Sequence, residues 1–148
     1  MYTCILAATD GSERGDKAVA TGIKMAKALG AKLTVANVGV PYAPPVYAGE
    51  FVPAAVESPE EHEMRVRESA NRILSQAREQ AEAAGVACSV EFEFADSPHE
   101  ALIALAEKRG CDLIVTSSHG RGGWSALLLG SETQKLLQHT KIDLLVTR

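Results

Sequence analysis

The sequence predicts an α/β fold: a five-stranded doubly wound parallel sheet, order 3-2-1-4-5, with helices on both faces. Three observations predict it. Short apolar runs and amphipathic helical stretches alternate along the whole chain, and such alternation implies right-handed crossovers and parallel strands. Most of the runs are continuously apolar, as strands covered on both faces are. One run, 88–94, instead alternates apolar and polar residues, which marks a strand with one wet face at a sheet edge.

Each element can be justified in order. Residues 4–8, Cys-Ile-Leu-Ala-Ala, form the first strand. Val19, Ile23, Ala26 and Leu29 then recur at spacings of three and four, one stripe of a helix, and Gly30 supplies its stop. Residues 33–38 read as the second strand. The connection 39–57 holds Pro41, Pro44, Pro45 and Pro53 with Tyr42, Tyr47 and Phe51 between them. A loop of that length is either a lid or binding segment or a mobile surface loop, and both readings stay open.

Ser58-Pro59-Glu60-Glu61 opens the long second helix. Ser caps, Pro takes the first helical position, and the Glu at the third reaches back to the cap's N–H. The stripe Val66, Ala70, Ile73, Ala77, Ala81 and Ala84 runs to Gly85. After the alternating strand, Ser97-Pro98-His99-Glu100 repeats the start signal, and Leu102, Leu105 and Ala106 lead to Gly110. Residues 113–115 form the fourth strand. Gly130-Ser131-Glu132-Thr133-Gln134 opens the last helix, and 142–147 read as the last strand although Asp143 interrupts its apolar character.

Composition narrows the functional classes. At 148 residues, 46% hydrophobic and 23% charged, the chain reads as one globular domain over 1–148, large enough for a core without disulfide or metal staples. A net charge of −4 argues against a general nucleic-acid or membrane-surface binder, since both need clustered basic residues. Cys4, Cys88 and Cys111 are odd in number, far apart and without CxxC spacing, poor material for a disulfide framework or zinc site; they read as inert, buried small residues. Met1 is not followed by a basic region and apolar run, and no stretch approaches the ~20 apolar residues of a membrane span. The expectation is a cytoplasmic protein.

In a doubly wound sheet, ligands bind beyond the carboxyl ends of strands where the winding reverses, here between the first and fourth strands. The first strand ends in Thr9-Asp10-Gly11-Ser12. Asp10 can accept from a ribose hydroxyl or help hold a metal; equally, Asp10 or Ser12 can cap the helix that follows. The fourth strand runs into Ser117-Ser118-His119-Gly120-Arg121-Gly122. Together with Gly130-Ser131 at a helix N-terminus, its glycines suit close approach of backbone N–H groups to phosphate, with Ser131 and Thr133 as hydroxyl donors. Ser131-x-x-Gln134 is also a capping-box pattern. Neither segment is a GxGxxG or Walker A sequence. One histidine, His119, without a placed nucleophile does not define an active site, and Trp124 suits cover of apolar surface better than base stacking.

These motifs resemble those of the universal stress protein family, small single-domain type, and the resemblance spans essentially the whole chain. ATP-binding members carry Gly-x-x-Gly, nine residues, then Gly-Ser or Gly-Thr. Here Gly120, nine residues (121–129) and Gly130-Ser131 match, while Ser117 stands at the first Gly position. Were that position to need positive φ, Ser117 would be strained or its hydroxyl would project into the nucleotide site. The resemblance implies Asp10 at the ribose and Val38 at the adenine. Gly120, Gly130, Ser131, Thr133 and the backbone of Glu132 would hold the phosphates. The full candidate binding set is Thr9, Asp10, Val38, Ser117, His119, Gly120, Arg121, Gly122, Gly130, Ser131, Glu132 and Thr133, with no catalytic or metal-ligating residue assigned. It further implies ATP, with Mg, or a related adenine nucleotide, and a homodimer paired through the last strand. The function is then a stress-response sensor or adaptor with unknown protein partners and at most slow ATP hydrolysis. The alternative is a nucleotide-free stress protein that works through protein contacts alone.

Overall fold

A computed structural model describes residues 1–46, 49, 56–119 and 129–148. The described chain runs β1 (Cys4–Ala8), α1 (Glu13–Leu29), β2 (Lys32–Gly39), α2 (Pro59–Ala83), β3 (Cys88–Phe94), α3 (Pro98–Arg109), β4 (Leu113–Ser117), α4 (Ser131–His139) and β5 (Asp143–Thr147). The five strands form one sheet in the order β3-β2-β1-β4-β5, every pair parallel. This is the expected doubly wound order.

The continuous apolar runs are explained by two layers of cover. Ile5 and Ala7 of β1 join Val19, Ile23, Leu74 and Ala77 in a core beneath α1 and α2. Cys4, Leu6 and Ala8 of the same strand join Leu102, Leu105, Ala106 and Leu136 beneath α3 and α4. Successive side chains of a strand point to opposite faces, so a strand roofed on both must be apolar at every position. All five residues of β1 and of β4 are buried.

Two expectations about packing change. The buried stripe of α2 is Ala70, Leu74, Ala77 and Ala81, not one through Ile73, which lies on the flank. Steps of four, three and four keep Leu74 over the sheet, and Ile73 falls one position off that line. The polar face of β3 is also drier than its alternation suggests, for no residue of the strand is fully exposed. Arg109 of α3 reaches over this edge to pair with Glu91, while on the other face the Arg67 guanidinium lies 5.8 and 5.1 Å from the Phe92 and Phe94 ring centres.

The helix starts divide in the same way. The box opening α2 forms as read: Glu61 N–H donates to Ser58 Oγ at 3.1 Å and Ser58 N–H donates to Glu61 Oε2 at 2.8 Å. The one expected at α3 does not. Ser97 makes no side-chain cap, its hydroxyl lying 3.2 Å from His99 Nδ1, and the His99 N–H donates to Glu132 Oε2 on α4 at 3.0 Å. A charged carboxylate from the neighbouring helix outcompetes a neutral hydroxyl for an orphan N–H. Ser131 is likewise no cap. Gly130 holds that position, and Gln134 Nε2 donates to Leu129 O at 2.7 Å instead. No described helix is long and apolar enough to cross a membrane.

Candidate functional site

The β1–α1 turn is a closed set of side-chain and backbone bonds. Gly11 takes φ 79°, a conformation other residues resist, and its N–H donates to Thr9 Oγ1 at 3.1 Å. Asp10 Oδ1 accepts from both the N–H and the hydroxyl of Ser12, and Ser12 Oγ accepts from Gly15 N–H as the N-cap of α1. Ser12 is thus the cap, and Asp10 is its support. Asn37 Nδ2 donates to Thr9 O at 2.9 Å and ties this turn to the end of β2.

Gly15 packs directly against this turn. A Cβ there would sit 2.5 Å from Thr9 Oγ1 and 2.9 Å from Asp10 Oδ1. Its only trace in the sequence is a glycine in the first turn of a helix, a costly residue for that position.

On the other side of the switch point, β4 and α4 are stitched together. Ser117 Oγ donates to His119 O at 2.8 Å, and Thr133 Oγ1 donates to Ser117 O at 2.9 Å. Gly130 N–H donates to Ser118 O at 2.6 Å, while Ser118 N–H donates to Thr147 O at 2.8 Å. No described non-glycine residue has positive φ, so Ser117 is not strained. Its hydroxyl is satisfied internally. The Thr133 hydroxyl donates its proton to β4. His119 is buried, with Nδ1 3.2 Å from Ser118 Oγ.

Between these two stitched turns lies a cavity of about 220 Å³. Thr9, Asp10, Val38, Ser117, Glu132 and Thr133 of the candidate set line it. The rest of its wall is made of residues that the sequence marks only as parts of strands and helices: Ala8, Ala36, Pro98, Leu102, Thr116 and Leu136. These are core-type residues of strands and helices, which carry no signal of their own. Gly130 and Ser131 stand at the start of α4 beside the cavity but are not part of its lining, and Gly120, Arg121 and Gly122 lie outside the described residues. A wider groove on the outer face of α2, by Glu68, Arg72 and Gln76, is far from the strand ends.

The charge of the cavity is acidic. Among the described residues, Asp10 and Glu132 are its ionisable liners, and neither Lys nor Arg lines it. Burial works to raise the Glu132 pKa, but hydrogen bonds from Lys135 and from both the side chain and backbone of His99 outweigh it and hold the carboxyl below its usual range. Glu132 Oε1 lies 3.1 Å from Lys135 Nζ and Oε2 lies 3.1 Å from His99 Nδ1. The Glu132 side chain therefore clasps α3 to α4. Among the described residues no group of three His, Cys, Asp or Glu could hold a metal ion.

Fold and site together define a doubly wound α/β protein with a small cleft at its switch point. The family model of the Universal stress protein family matches residues 1–148, and the chain belongs to that family. It is 32% identical over 149 residues to the "Universal stress protein in QAH/OAS sulfhydrylase 3'region" of Thermus aquaticus, covering 100% of each chain. Among solved structures it resembles a universal stress protein family member from Burkholderia pseudomallei, with TM-score 0.77, 24% identity and coverage of 99% and 96%. A second, a universal stress protein in complex with cAMP, aligns with TM-score 0.72, 28% identity and coverage of 99% and 97%.

Proposed function

We propose that this universal stress protein binds an adenine nucleotide in the cavity between β1 and β4 and acts as a dimeric stress-response sensor or adaptor. The observation that carries the reading is the make-up of that cavity. Ala36, Val38, Leu102 and Leu136 offer an apolar slot for a flat base, and the Asp10 carboxylate at its mouth is an acceptor for ribose hydroxyls. At about 220 Å³ it is smaller than the ~300–1,000 Å³ of most ligand pockets, so only the nucleoside end fits inside. The described lining agrees, because its carboxylates, Asp10 and Glu132, repel phosphate. The phosphates then lie outside, along the backbone N–H groups of Ser131 and Glu132, where the N-terminus of α4 favours negative charge. ATP would bring Mg²⁺ with its triphosphate. The related structure that holds cAMP supports an adenine nucleotide as the ligand class. Dimerisation through β5 follows from its place at the sheet edge, where its outer backbone groups invite a second copy.

The test is a thermal melt of the chain with ATP, ADP, AMP or cAMP in turn. A ligand at a hundredfold excess over its Kd stabilises the folded state by about 2.7 kcal/mol, a rise on the order of 5–10 °C for a domain of this size. Val38→Trp, which fills the slot from a partly exposed position, should keep the fold and lose the rise. No rise with any of the four nucleotides, and none released on denaturation, would overturn the reading in favour of a nucleotide-free adaptor.

A further inference from the structure

We propose that Cys4 and Cys111 are an oxidation site, which a hydroperoxide converts to an intramolecular disulfide at the foot of the sheet, opposite the nucleotide cavity. Their sulfurs lie 2.7 Å apart although the residues are 107 apart in sequence. Both are buried in the same hydrophobic cluster beneath α3 and α4. The backbone suits a bridge as well. Ile5 pairs with Leu113, so Cys4 stands opposite Asp112, and Asp112 N–H donates to Cys4 O at 2.9 Å. Cys111 is one residue further along the same line. A strand spacing of ~4.8 Å and a rise of ~3.3 Å then put the two Cα atoms about 6 Å apart. That falls inside the ~4.4–6.8 Å range that disulfides span.

An oxidant has a way in. Cys111 lines an open groove of about 710 Å³ with Met1, Tyr2, Asp112, Lys141 and Ile142. The third cysteine takes no part, because Cys88 is on the edge strand β3 and packs into the opposite layer. Burial, and then the Cys4 thiol, push the Cys111 thiol up to about 12, so little of it is thiolate and the reaction calls for excess peroxide. One of the two sulfurs attacks one peroxide oxygen and breaks the O–O bond, giving a sulfenic acid and releasing water or an alcohol. The other sulfur then attacks the sulfenic sulfur and expels its oxygen as water, and the S–S bond forms. Two thiol protons leave in these products, and the peroxide takes up the two electrons.

The experiment treats the native full chain with hydrogen peroxide, alkylates the remaining thiols, and maps the peptides before and after reduction. The expected product has lost the mass of two hydrogens, joins the Cys4 and Cys111 peptides within one chain, and leaves Cys88 alkylated. It should melt several degrees higher than the reduced protein, since the bridge restricts the unfolded chain. Cys111→Ala should stop at a sulfenic acid on Cys4, trapped by dimedone. If that variant does not fold, the wild-type map decides alone. Cys4 and Cys111 both recovered as thiols, over-oxidised without a bridge, bridged between two chains, or bridged only in denaturant would each overturn the proposal.

Discussion

At Gly15 the β1–α1 turn and the first turn of α1 come so close that a methyl group has no room. Gly15→Ala would place its Cβ against Thr9 Oγ1 and Asp10 Oδ1, the atoms that close the turn. Crowding of this kind costs about 1–3 kcal/mol, far more than the modest gain of Ala over Gly in a helix. Urea unfolding should therefore show a lower midpoint, and unchanged stability would mean that the turn can move aside. Ser117 makes the opposite case, a residue that fits better than the motif suggests. Its hydroxyl donates to His119 O in a buried setting, so Ser117→Gly loses a bond worth about 0.5–1.5 kcal/mol and adds chain entropy to the unfolded state. The variant should melt lower without ligand yet keep the nucleotide-induced rise. A rise that appears only in Ser117→Gly would show that the serine obstructs the site.

Among the elements, β5 and the start of α2 allow sharp tests. Thr147 O accepts from Ser118 N–H, so Thr147 turns its backbone groups toward β4. Backbone groups of alternate residues in a strand point the same way, which leaves Leu144 and Val146 facing the outer edge. Val146→Pro removes an outward N–H and spares the β4 ladder, so it should weaken a β5-paired dimer and leave the monomer folded. Analytical ultracentrifugation checks this, and a wild type that is monomeric at micromolar concentration would remove the premise.

At the other edge of the molecule, hydrogen bonds from Arg65, aided by His62, hold the Glu57 carboxyl down at about 2 against a usual 4.5. Its folded pKa is the lower one, so this contribution is fully present above about 4.5 and is lost as pH falls through about 2. Arg65→Gln should flatten that part of the stability–pH curve, measured by urea unfolding between pH 5 and 2. A curve parallel to wild type would show that Arg65 does not hold the carboxyl down.

Over the whole molecule, what the sequence makes legible is what is local. Apolar runs such as 4–8 and glycine stops such as Gly30 and Gly110 depend on near neighbours, and they lead to the right element order and the right strand order. The Glu132 cap on α3, the Cys4–Cys111 contact and the room needed at Gly15 arise only when distant segments meet, and nothing in their immediate sequence marks them. The same division bears on how the molecule opens. β1 and β4 are buried from end to end, and α1 buries six residues, among them Val19, Ile23 and Ala26. α4 buries only Thr133 and Leu136, and it holds to the rest through the Glu132 clasp and the bonds of Gly130 and Thr133 to Ser118 and Ser117. Few buried apolar contacts mean a low free energy of local opening. Hydrogen exchange of the ligand-free chain should show α4 amides exchanging well before those of β1, β4 and α1. A nucleotide seated against Glu132, Thr133 and Leu136 adds contacts that exist only while α4 is docked, so it should slow exchange in α4 first and most. Equal slowing across every element would mean that the ligand acts through global stability alone, and the site against α4 would be wrong.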